Sequence, residues 1–553
     1  MICSSVNLDR FILSVLRWAD SSYSWRSFRG SRQKDWNLFS AQVAESGFTR
    51  SLTESLDSWL ELAVDGFHEE TVQLGSQSRT EDRRHKLAAF AERLVAAETA
   101  DDAVANPLIT HPLHMLATQF QSQLPIIVAE GAKGTGKTLS ARFLVNKQTW
   151  KHAASALSSS TPLIDGEIIP VFGSIQSSER YQAEITTRRA AAAKSLGFGM
   201  PQRVDQTRQA LLSLFPSAHG AEARVELWLD VVAWSVGFEV DHPGAGSRLI
   251  DNLRGTQRSI LAVVEGIEEL YTDPYAPDAQ AAYRSLIVDL PQRLRGEPGR
   301  PIGLCVFARR DSVESAVPHN LDQFRRSYKD FELSWSEQDL LELAAWLATE
   351  AESLDIWTST FRDLPQIEKE RRLFPLWGRK LGRDDKPGKR TAEAYTANWV
   401  VAVLSDLQSR LVARDLVRFL ANAAAHEPAQ VDRDMLATRL LVPRALKDAV
   451  KPTSIAKVSE TEEEISELRP VFNKFRAVSD PIVAPLDAEA LRTLRLDEND
   501  IALLRRHGII FGDAAPYEVP ELFRMGLNLR HSGARHSVIN LRRKARQRFG
   551  LSV

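Results

Sequence analysis

One short stretch restricts the folds open to this chain more than any other. Residues 131–138 read GAKGTGKT, an instance of the pattern G-x-x-x-x-G-K-[ST]. The apolar run Leu124–Ala129 precedes it, and Leu139–Val145 follows it with helical spacing. Strand, glycine-rich loop and helix in this order form a cradle for phosphate groups, because glycine lets the backbone turn its N–H groups inward and the helix N-terminus carries partial positive charge. The flanks favour this phosphate-binding loop over a glycine-rich surface turn.

The residue types in the loop predict individual roles. Lys137 reaches the β- and γ-phosphates of a nucleotide, and Thr138 offers its hydroxyl to Mg²⁺. Mg²⁺ is therefore an expected cofactor, with Thr138 among its ligands. The residues predicted to hold the nucleotide are Gly131, Lys133, Gly134, Thr135, Gly136, Lys137 and Thr138.

Length and composition bound the other possibilities. The chain has 553 residues, too many for one hydrophobic core, so about two to four domains are expected. The net charge of −2 gives no overall attraction to nucleic acid or acidic lipid. The two cysteines, Cys3 and Cys305, form no zinc-ligand spacing, which favours a reducing cytoplasm. No apolar run approaches the ~18 residues of a membrane span, and Asp9 and Arg10 interrupt any signal-peptide core, so we expect a cytoplasmic protein with no membrane partner.

A second apolar run ends in a carboxylate. Ser259–Val264 is followed by Glu265, as expected of a buried parallel strand whose next side chain emerges at the carboxyl edge of the sheet. This Walker B candidate assigns Glu265 to Mg²⁺, and Glu268 or Glu269 to polarising the attacking water. The alternative is an ordinary strand followed by a solvated acidic turn, but the preceding phosphate loop favours the Walker B assignment.

A third apolar run ends in two arginines. Ile302–Ala308 is followed by Arg309 and Arg310, at the place where a sensor of the γ-phosphate would lie beside the Walker strands. A surface charge cluster explains these arginines equally well.

The other stretches before residue 337 include helix, strand and loop candidates. Three helices are predicted before residue 105, over Phe11–Trp18, Leu56–Ala63 and Lys86–Glu98, with Trp18, Trp25 and Trp36 as core or interface anchors rather than a recognition surface. Glu167–Phe172 and Phe331–Trp335 are strand candidates. Gln176–Asp205 is a polar excursion, and Val225–Val240 is either a buried helix or a helix followed by a strand.

Helices dominate from about residue 337 onward. Ser336 caps a predicted helix over Glu337–Ala348. Arg362–Arg390 is basic with interspersed acids, which indicates a solvated or disordered connector. Arg414 and Arg418 lie one helical turn apart, so a lid helix over the nucleotide could place one of them on the phosphates.

The C-terminal segment predicts a separate small unit. Short helices over Leu486–Leu494 and Glu498–Arg506 precede a hairpin from Gly508–Phe511 to Tyr517–Val519, an order that is winged-helix-like. No acid follows Glu521, so the tail could bind DNA or simply remain solvated. Its basic residues are Arg524, Arg530, Arg535, Arg542, Arg543, Lys544, Arg546 and Arg548.

Together these motifs resemble a family. Val263–Leu270 reads VVEGIEEL and resembles the hhhhDGLDE form of Walker B in STAND and KAP-type P-loop ATPases, which belong to the additional-strand class close to AAA+ and origin-recognition ATPases. Phe307–Asp311 and Leu333–Ser336 resemble the sensor strand and its sequel in a bacterial branch of these ATPases. Ala413–Leu420 resembles the P-R-D-h-h-x-F helix of that branch's lid, with Ala413 in place of the proline.

The resemblance implies roles for individual residues. ATP would be the nucleotide, Lys137 and Thr138 would bind phosphate and Mg²⁺, Arg309 or Arg310 would be the sensor, and Arg414 would act from the lid. Two departures are notable. Glu265 replaces the family's aspartate, and Gly266 stands where AAA+ motors carry a catalytic glutamate, which implies slow hydrolysis and a switch rather than a processive motor.

The sequence thus predicts an α/β protein with a P-loop NTPase core and parallel sheet, flanked by an N-terminal helical domain and by C-terminal helical and winged-helix-like domains. The predicted domains are residues 1–104, 105–336, 337–485 and 486–553. Three functions remain open. The first is an ATPase switch in a multi-protein bacterial assembly such as antiviral defence, with protein partners and possible homo-oligomers. The second is a DNA-associated ATPase, and the third is a scaffold that binds nucleotide without turnover.

Overall fold

The computed structural model describes residues 77–95, 107–158, 161–174, 178–271, 273, 276–382, 394–406, 408, 410–531 and 538–548. All of them belong to the second of the two units into which the chain divides, Val72–Val553. The helices predicted over Phe11–Trp18 and Leu56–Ala63, and the tryptophans Trp18, Trp25 and Trp36, lie outside the described residues.

The described part is mixed α/β, with many helices and two small sheets. The α-helices, in chain order, are α1 Gln77–Val95, α2 His111–Gln119, α3 Lys137–Asn146, α4 Trp150–Leu157, α5 Glu179–Leu196, α6 Val204–Leu214, α7 Ala221–Ser235, α8 Ala245–Thr256, α9 Pro277–Arg284, α10 Leu290–Gly296, α11 Arg310–Ala316, α12 Leu321–Tyr328, α13 Glu337–Glu350, α14 Gln366–Arg372, α15 Phe374–Trp377, α16 Thr396–Leu404, α17 Ala413–Ala425, α18 Pro443–Glu464, α19 Leu468–Arg476, α20 Ala488–Thr493, α21 Glu498–Arg506, α22 Glu521–Arg524 and α23 Val538–Arg548. The strands are β1 Ile126–Gly131, β2 Glu167–Pro170, β3 Ile260–Val264, β4 Ile302–Arg309, β5 Ile482–Ala484 and β6 Leu529–His531.

The larger sheet is parallel and has four strands in the order β1-β4-β3-β2. Its register pairs Gly131 with Arg309 and Val264 with Val306. Every residue of β1 and β3 is buried, so both faces of these strands are covered, as is usual for a parallel sheet. Because all four strands point the same way, the residues that follow them meet at one edge of the sheet.

The predicted last strand, Phe331–Trp335, is wrong as a full strand. Only Leu333 bridges to Gly131, in parallel, and its N–H donates to the carbonyl of Glu130 at 2.8 Å. The chain enters from a 3₁₀ turn and turns away at Trp335, which bridges to Leu411 instead, so no continuous ladder forms. The sequence left open whether Val225–Val240 is a buried helix or a helix followed by a strand. Most of this segment belongs to the buried helix α7, which ends at Ser235.

A second core, separate from the core around the sheet, is made of helices from both ends of the described chain. The helix α1 packs on α17, and Leu87 and Ala91 of α1 are fully buried there. The sequence predicted a helix from Lys86 within an N-terminal domain. The helix instead starts at Gln77, and its apolar side joins the helices that follow residue 337.

The basic segment Arg362–Arg390 is only partly described, and its described part is not a solvated connector. Here α14 and α15 form, and Leu373, Leu376 and Trp377 are buried in the second core. The charge count misled because these three apolar residues are buried although charged residues surround them in the sequence. The predicted cap is confirmed, since Ser336 and Asp339 form a reciprocal capping box at α13.

A third core extends from Val458 to Leu529. The predicted helix Glu498–Arg506 is confirmed with the same bounds. The predicted hairpin is reduced to an isolated bridge between Phe511 and Glu518, and a parallel pairing of β5 with β6, which the sequence did not predict, closes the unit.

The basic tail is partly docked onto the rest of the chain. Arg524 pairs with buried Glu521, whereas Arg542 and Arg546 of α23 both pair with Glu337 at the start of α13. Leu541 and Ala545 of the same helix are buried. Arg530, Arg543 and Lys544 are exposed, and Arg535 lies outside the described residues. The helix α23 of the tail is therefore not a free extension.

None of the helices in the described segments combines the length and the apolarity that crossing a membrane requires.

Candidate functional site

The loop 131–138 leaves β1 at the carboxyl edge of the sheet and enters α3. Two of its glycines have left-handed backbone angles, with φ of 83° at Gly134 and 101° at Gly136. A Cβ atom at Gly134 would lie 2.9 Å from the Cβ of Arg414, so only glycine lets α17 approach the loop this closely. The first N–H groups of α3 have no acceptor within the helix, so they could donate to an anion at the loop.

Lys137 is buried beneath the loop. Its ammonium donates to the carbonyls of Gly131 at 3.1 Å and Ala132 at 2.9 Å. Burial lowers the pKa of Lys137, because the charge is removed from water. The indole of Trp335 donates to the carbonyl of Thr135 at 3.0 Å, which fixes the far side of the loop.

The Walker B candidate lies directly against this loop. Glu265, 3% exposed, accepts a hydrogen bond from the hydroxyl of Thr138 at 2.7 Å and another from the N–H of Ser174 at 2.9 Å. Burial raises the pKa of Glu265 to about 7, and the neighbouring charge of Glu268 adds to this effect. The two predicted metal ligands, Thr138 and Glu265, are therefore in contact.

The two following glutamates have different environments. Glu269 accepts a hydrogen bond from the hydroxyl of Ser174 at 2.6 Å. One carboxylate oxygen of Glu268 is buried with no hydrogen-bond partner among the described residues. Burial raises the pKa of Glu268, while the nearby positive charges of Lys137 and Arg309 oppose that rise. Glu268 also lines the cavity, so its carboxylate could accept a hydrogen bond from a water molecule there.

The predicted sensor arginines are separated by the structure. Arg309, at the end of β4, lines the cavity and pairs with Asp311 at 2.6 Å. Arg310 does not line the cavity, because it pairs with Glu332 at 2.6 Å and with buried Glu130 at 3.3 Å. Of the two sensor candidates, only Arg309 is positioned to reach a bound phosphate.

The arginine that was predicted to act from a lid reaches the site from α17. The N–H of Arg414 donates to the carbonyl of Gly134 at 3.2 Å, and the side chain lines the cavity. Arg418, one turn later, instead pairs with Glu460 at 2.6 Å.

These groups enclose a cavity of about 410 Å³, within the size range of ligand pockets. One half is polar and contains the loop, the glutamates, Arg309 and Arg414. The other half is mainly apolar and is lined by Leu94, Leu108, Leu113, Trp335, Leu343 and Trp346, among others. Two buried polar atoms in this second half, Oγ1 of Thr110 and Nε1 of Trp346, have no hydrogen-bond partner in the described chain.

No preformed metal cage accompanies the cavity. Within the segments that the structure describes, no group of three or more His, Cys, Asp or Glu side chains is arranged to hold a metal ion. Thr138 and Glu265 could offer two oxygen ligands, and Mg²⁺ commonly takes one or two protein ligands with the rest from phosphates and water.

Several residues at the site were not predicted from the sequence. Ser174 follows β2, and its position after a parallel strand was a usable signal. Glu460, Glu463 and Glu464 come from the end of α18, more than three hundred residues from the loop. Nothing in the sequence pairs this helix with the loop, because the contact depends on how the second and third cores pack.

No protein-family model matches the chain, and a search of the curated proteins finds no match.

Proposed function

We propose that this chain is a P-loop ATPase that binds ATP with Mg²⁺ and hydrolyses it slowly, acting as a nucleotide-dependent switch in a multi-protein assembly. The observation that carries the proposal is the hydrogen bond from Thr138 to Glu265, 2.7 Å long and joining residues 127 positions apart. It brings together the two motifs that were assigned to phosphate and metal from their sequences alone.

The strand order supports the proposal. β4 lies between β1, which leads into the loop, and β3, which leads to Glu265. An inserted strand in this position gives the additional-strand class its name, and the bridge of Leu333 to Gly131 occupies the outer side of β1. Arg309 then emerges between the two motifs, where it can contact the γ-phosphate.

The chemistry of the cavity also suits a nucleotide. The polar half offers cationic groups and helix N–H groups to phosphates, and the apolar half offers aromatic and aliphatic surface to a base. The unpaired atoms of Thr110 and Trp346 can bond to the polar edge of a base, which would remove the cost of burying them without partners.

Each residue then has a defined task. Lys137 exchanges its two loop carbonyls for phosphate oxygens, and Thr138 and Glu265 would hold Mg²⁺. When bound, the ion would supply positive charge that offsets the charge developing on the phosphate. Glu268 accepts a hydrogen bond from the attacking water at its unpaired carboxylate oxygen. Glu269 holds Ser174, which in turn positions Glu265.

Slow turnover follows from Gly266. This residue has φ of 75°, and a Cβ atom there would lie 2.8 Å from the backbone nitrogen of Ser174. The glutamate that AAA+ motors carry in the corresponding place therefore does not fit here. The water-polarising role passes to Glu268, farther along a 3₁₀ turn.

DNA binding by the tail is the second candidate, and the described structure gives it less support. Arg524, Arg542 and Arg546 are already engaged with carboxylates. Each pair must be broken before its arginine can contact a phosphate backbone, which reduces the gain from counterion release.

The decisive experiment compares two lysine substitutions by isothermal titration with Mg·ATP. Lys137→Ala removes the buried ammonium and is expected to weaken binding by about a hundredfold or more, because charge-assisted bonds are each worth about 1.5–3 kcal/mol. Lys151→Ala removes an exposed lysine on α4 and is expected to bind like the wild type. Equal affinity in both variants would overturn the proposal.

A second measurement separates the ATPase from a nucleotide-binding scaffold. Glu265→Gln is expected to reduce Mg²⁺-dependent phosphate release more strongly than ATP affinity. If the wild type binds ATP but releases no phosphate, with or without DNA, the scaffold hypothesis replaces the ATPase. Stimulation of phosphate release by DNA would instead favour the DNA-associated ATPase.

A further inference from the structure

The end of α18 covers the phosphate loop with carboxylates. Glu464 accepts a hydrogen bond from the backbone N–H of Lys133 at 3.4 Å. Glu463 accepts one from the side-chain ammonium of Lys133 at 3.2 Å. A helix from a distant part of the chain thus supplies anionic groups to the loop predicted to bind phosphate.

The same carboxylates face the other cationic groups of the cavity. Glu464 lies 3.7 Å from the guanidinium of Arg309, and Glu460 lies 3.5 Å from that of Arg414. Three basic residues assigned to nucleotide binding, from the loop, the end of β4 and α17, are therefore engaged by one helical turn of α18.

Carboxylate and phosphate oxygens compete for such groups, because both are anionic acceptors of N–H donors. A triphosphate entering the polar half would also meet the negative charges of Glu463 and Glu464 at separations below the Debye length of about 8 Å, where salt reduces the repulsion only in part. Full contact of the nucleotide with Lys133 and Arg309 therefore requires these carboxylates to leave.

We propose that Glu463 and Glu464 are an internal competitor that occupies the cationic groups which the nucleotide phosphates would contact. Binding of Mg·ATP then displaces the end of α18, and this movement transmits the nucleotide state to the C-terminal unit. This inference rests on the proposed nucleotide binding and specifies how that site is regulated. The described conformation is the one in which the competitor is engaged.

The packing of α18 explains how displacement would be transmitted. Its middle is anchored to α17 by an ion pair of Lys457 with the fully buried Asp415, at 2.7 Å. Its last turns carry Val458 into the third core, and Glu462 pairs with Arg476 of α19. Movement of the carboxylates away from the loop would therefore shift the third core against the second, with the Lys457–Asp415 pair as the fixed point.

The test uses two charge-neutralising variants of the full chain. In the double variant Glu463→Gln/Glu464→Gln both competitor charges are lost. In the control Glu462→Gln one charge is lost from the same helical turn, at a residue that pairs with Arg469 and Arg476 rather than with the loop. Isothermal titration with Mg·ATP gives the affinities, and hydrogen exchange follows residues 443–476 with and without Mg·ATP.

The double variant is expected to bind Mg·ATP about tenfold more tightly than the wild type, a typical size for a coupling between two sites. The control is expected to stay within about twofold. Hydrogen exchange in the last turns of α18 should rise when the wild type binds Mg·ATP, and should already be raised in the double variant without nucleotide.

The outcomes distinguish two kinds of failure. If all three proteins bind Mg·ATP equally and exchange is unchanged, the competitor is refuted while the proposed function stands. If the double variant and the control gain affinity equally, general charge explains the effect and the competitor is also refuted. If none of the proteins binds Mg·ATP, the proposed function fails and the competitor fails with it.

Discussion

Replacement of Gly266 by alanine gives the sharpest check on the geometry of the site. The residue follows Glu265 and has φ of 75°, a conformation that costs a residue with a Cβ atom about 1–2 kcal/mol. The added atom would also lie 2.8 Å from the Cα and the nitrogen of Ser174, which are backbone atoms that cannot rotate away. Crowding of this kind costs a further ~1–3 kcal/mol.

Gly266→Ala is therefore expected to lower the free energy of unfolding by about 2–5 kcal/mol. It should also weaken Mg·ATP binding, because the displaced N–H of Ser174 is the one that holds Glu265. Urea unfolding followed by tryptophan fluorescence measures the first effect, because the signal includes Trp228 and Trp234, both buried in the core around the sheet.

Gly299→Ala is the matched control. Gly299 has the same φ of 75°, but no atom lies within 4 Å of its added Cβ. Gly299→Ala is therefore expected to lower the free energy of unfolding only by the dihedral cost of about 1–2 kcal/mol. If the two variants lose equal free energy of unfolding, the crowding against Ser174 is not real, and the explanation for the missing glutamate at position 266 fails with it.

Three further predictions use other contacts. Burial raises the pKa of Glu265 from 4.5 to about 7, so the stability this carboxyl contributes is fully present below pH 4.5 and falls by about 3 kcal/mol as pH rises to 7. Glu265→Gln should accordingly gain stability relative to the wild type between pH 5 and pH 8 in urea unfolding, and a constant difference would contradict the assigned burial. Trp335→Phe removes one hydrogen bond to the phosphate loop and should weaken Mg·ATP binding about fivefold in isothermal titration. Unchanged affinity would contradict the role given to this hydrogen bond. Arg542→Ala should lower the free energy of opening of α23, measured by hydrogen exchange, by about 1–2 kcal/mol, because the pair with Glu337 at 2.6 Å is lost. Arg543→Ala, at an exposed position, should change this free energy by less than ~0.5 kcal/mol. Equal effects of the two variants would refute the docking of the helix.

Local sequence determined the elements that carry the site. The alternation of apolar runs with loop and helix signals placed β1, β3 and β4 to within one or two residues, because a buried parallel strand must be apolar along its whole length. The loop 131–138 and the acid after β3 were recognisable for the same reason, since their chemistry requires particular residue types at fixed positions next to those strands.

Sequence reasoning failed where an element depends on partners distant in the chain. Phe331–Trp335 has the composition of a strand but only Leu333 finds a partner, because a strand exists through its neighbours. The basic segment after Arg362 has the composition of a solvated connector, yet Trp377 and its neighbours are buried by helices that come from elsewhere in the chain.

The same division applies to the site. The sequence by itself determined which residues are candidates for binding phosphate and metal, since that depends on side-chain chemistry and on a strand, loop and helix that are local in the chain. Only the tertiary structure decided which candidates reach the cavity: Arg309 and not Arg310, Glu268 with an oxygen left unpaired, and Glu463 and Glu464 brought over the loop from α18. These choices depend on the packing of three separate cores, and residues hundreds of positions apart become neighbours only when those cores are assembled.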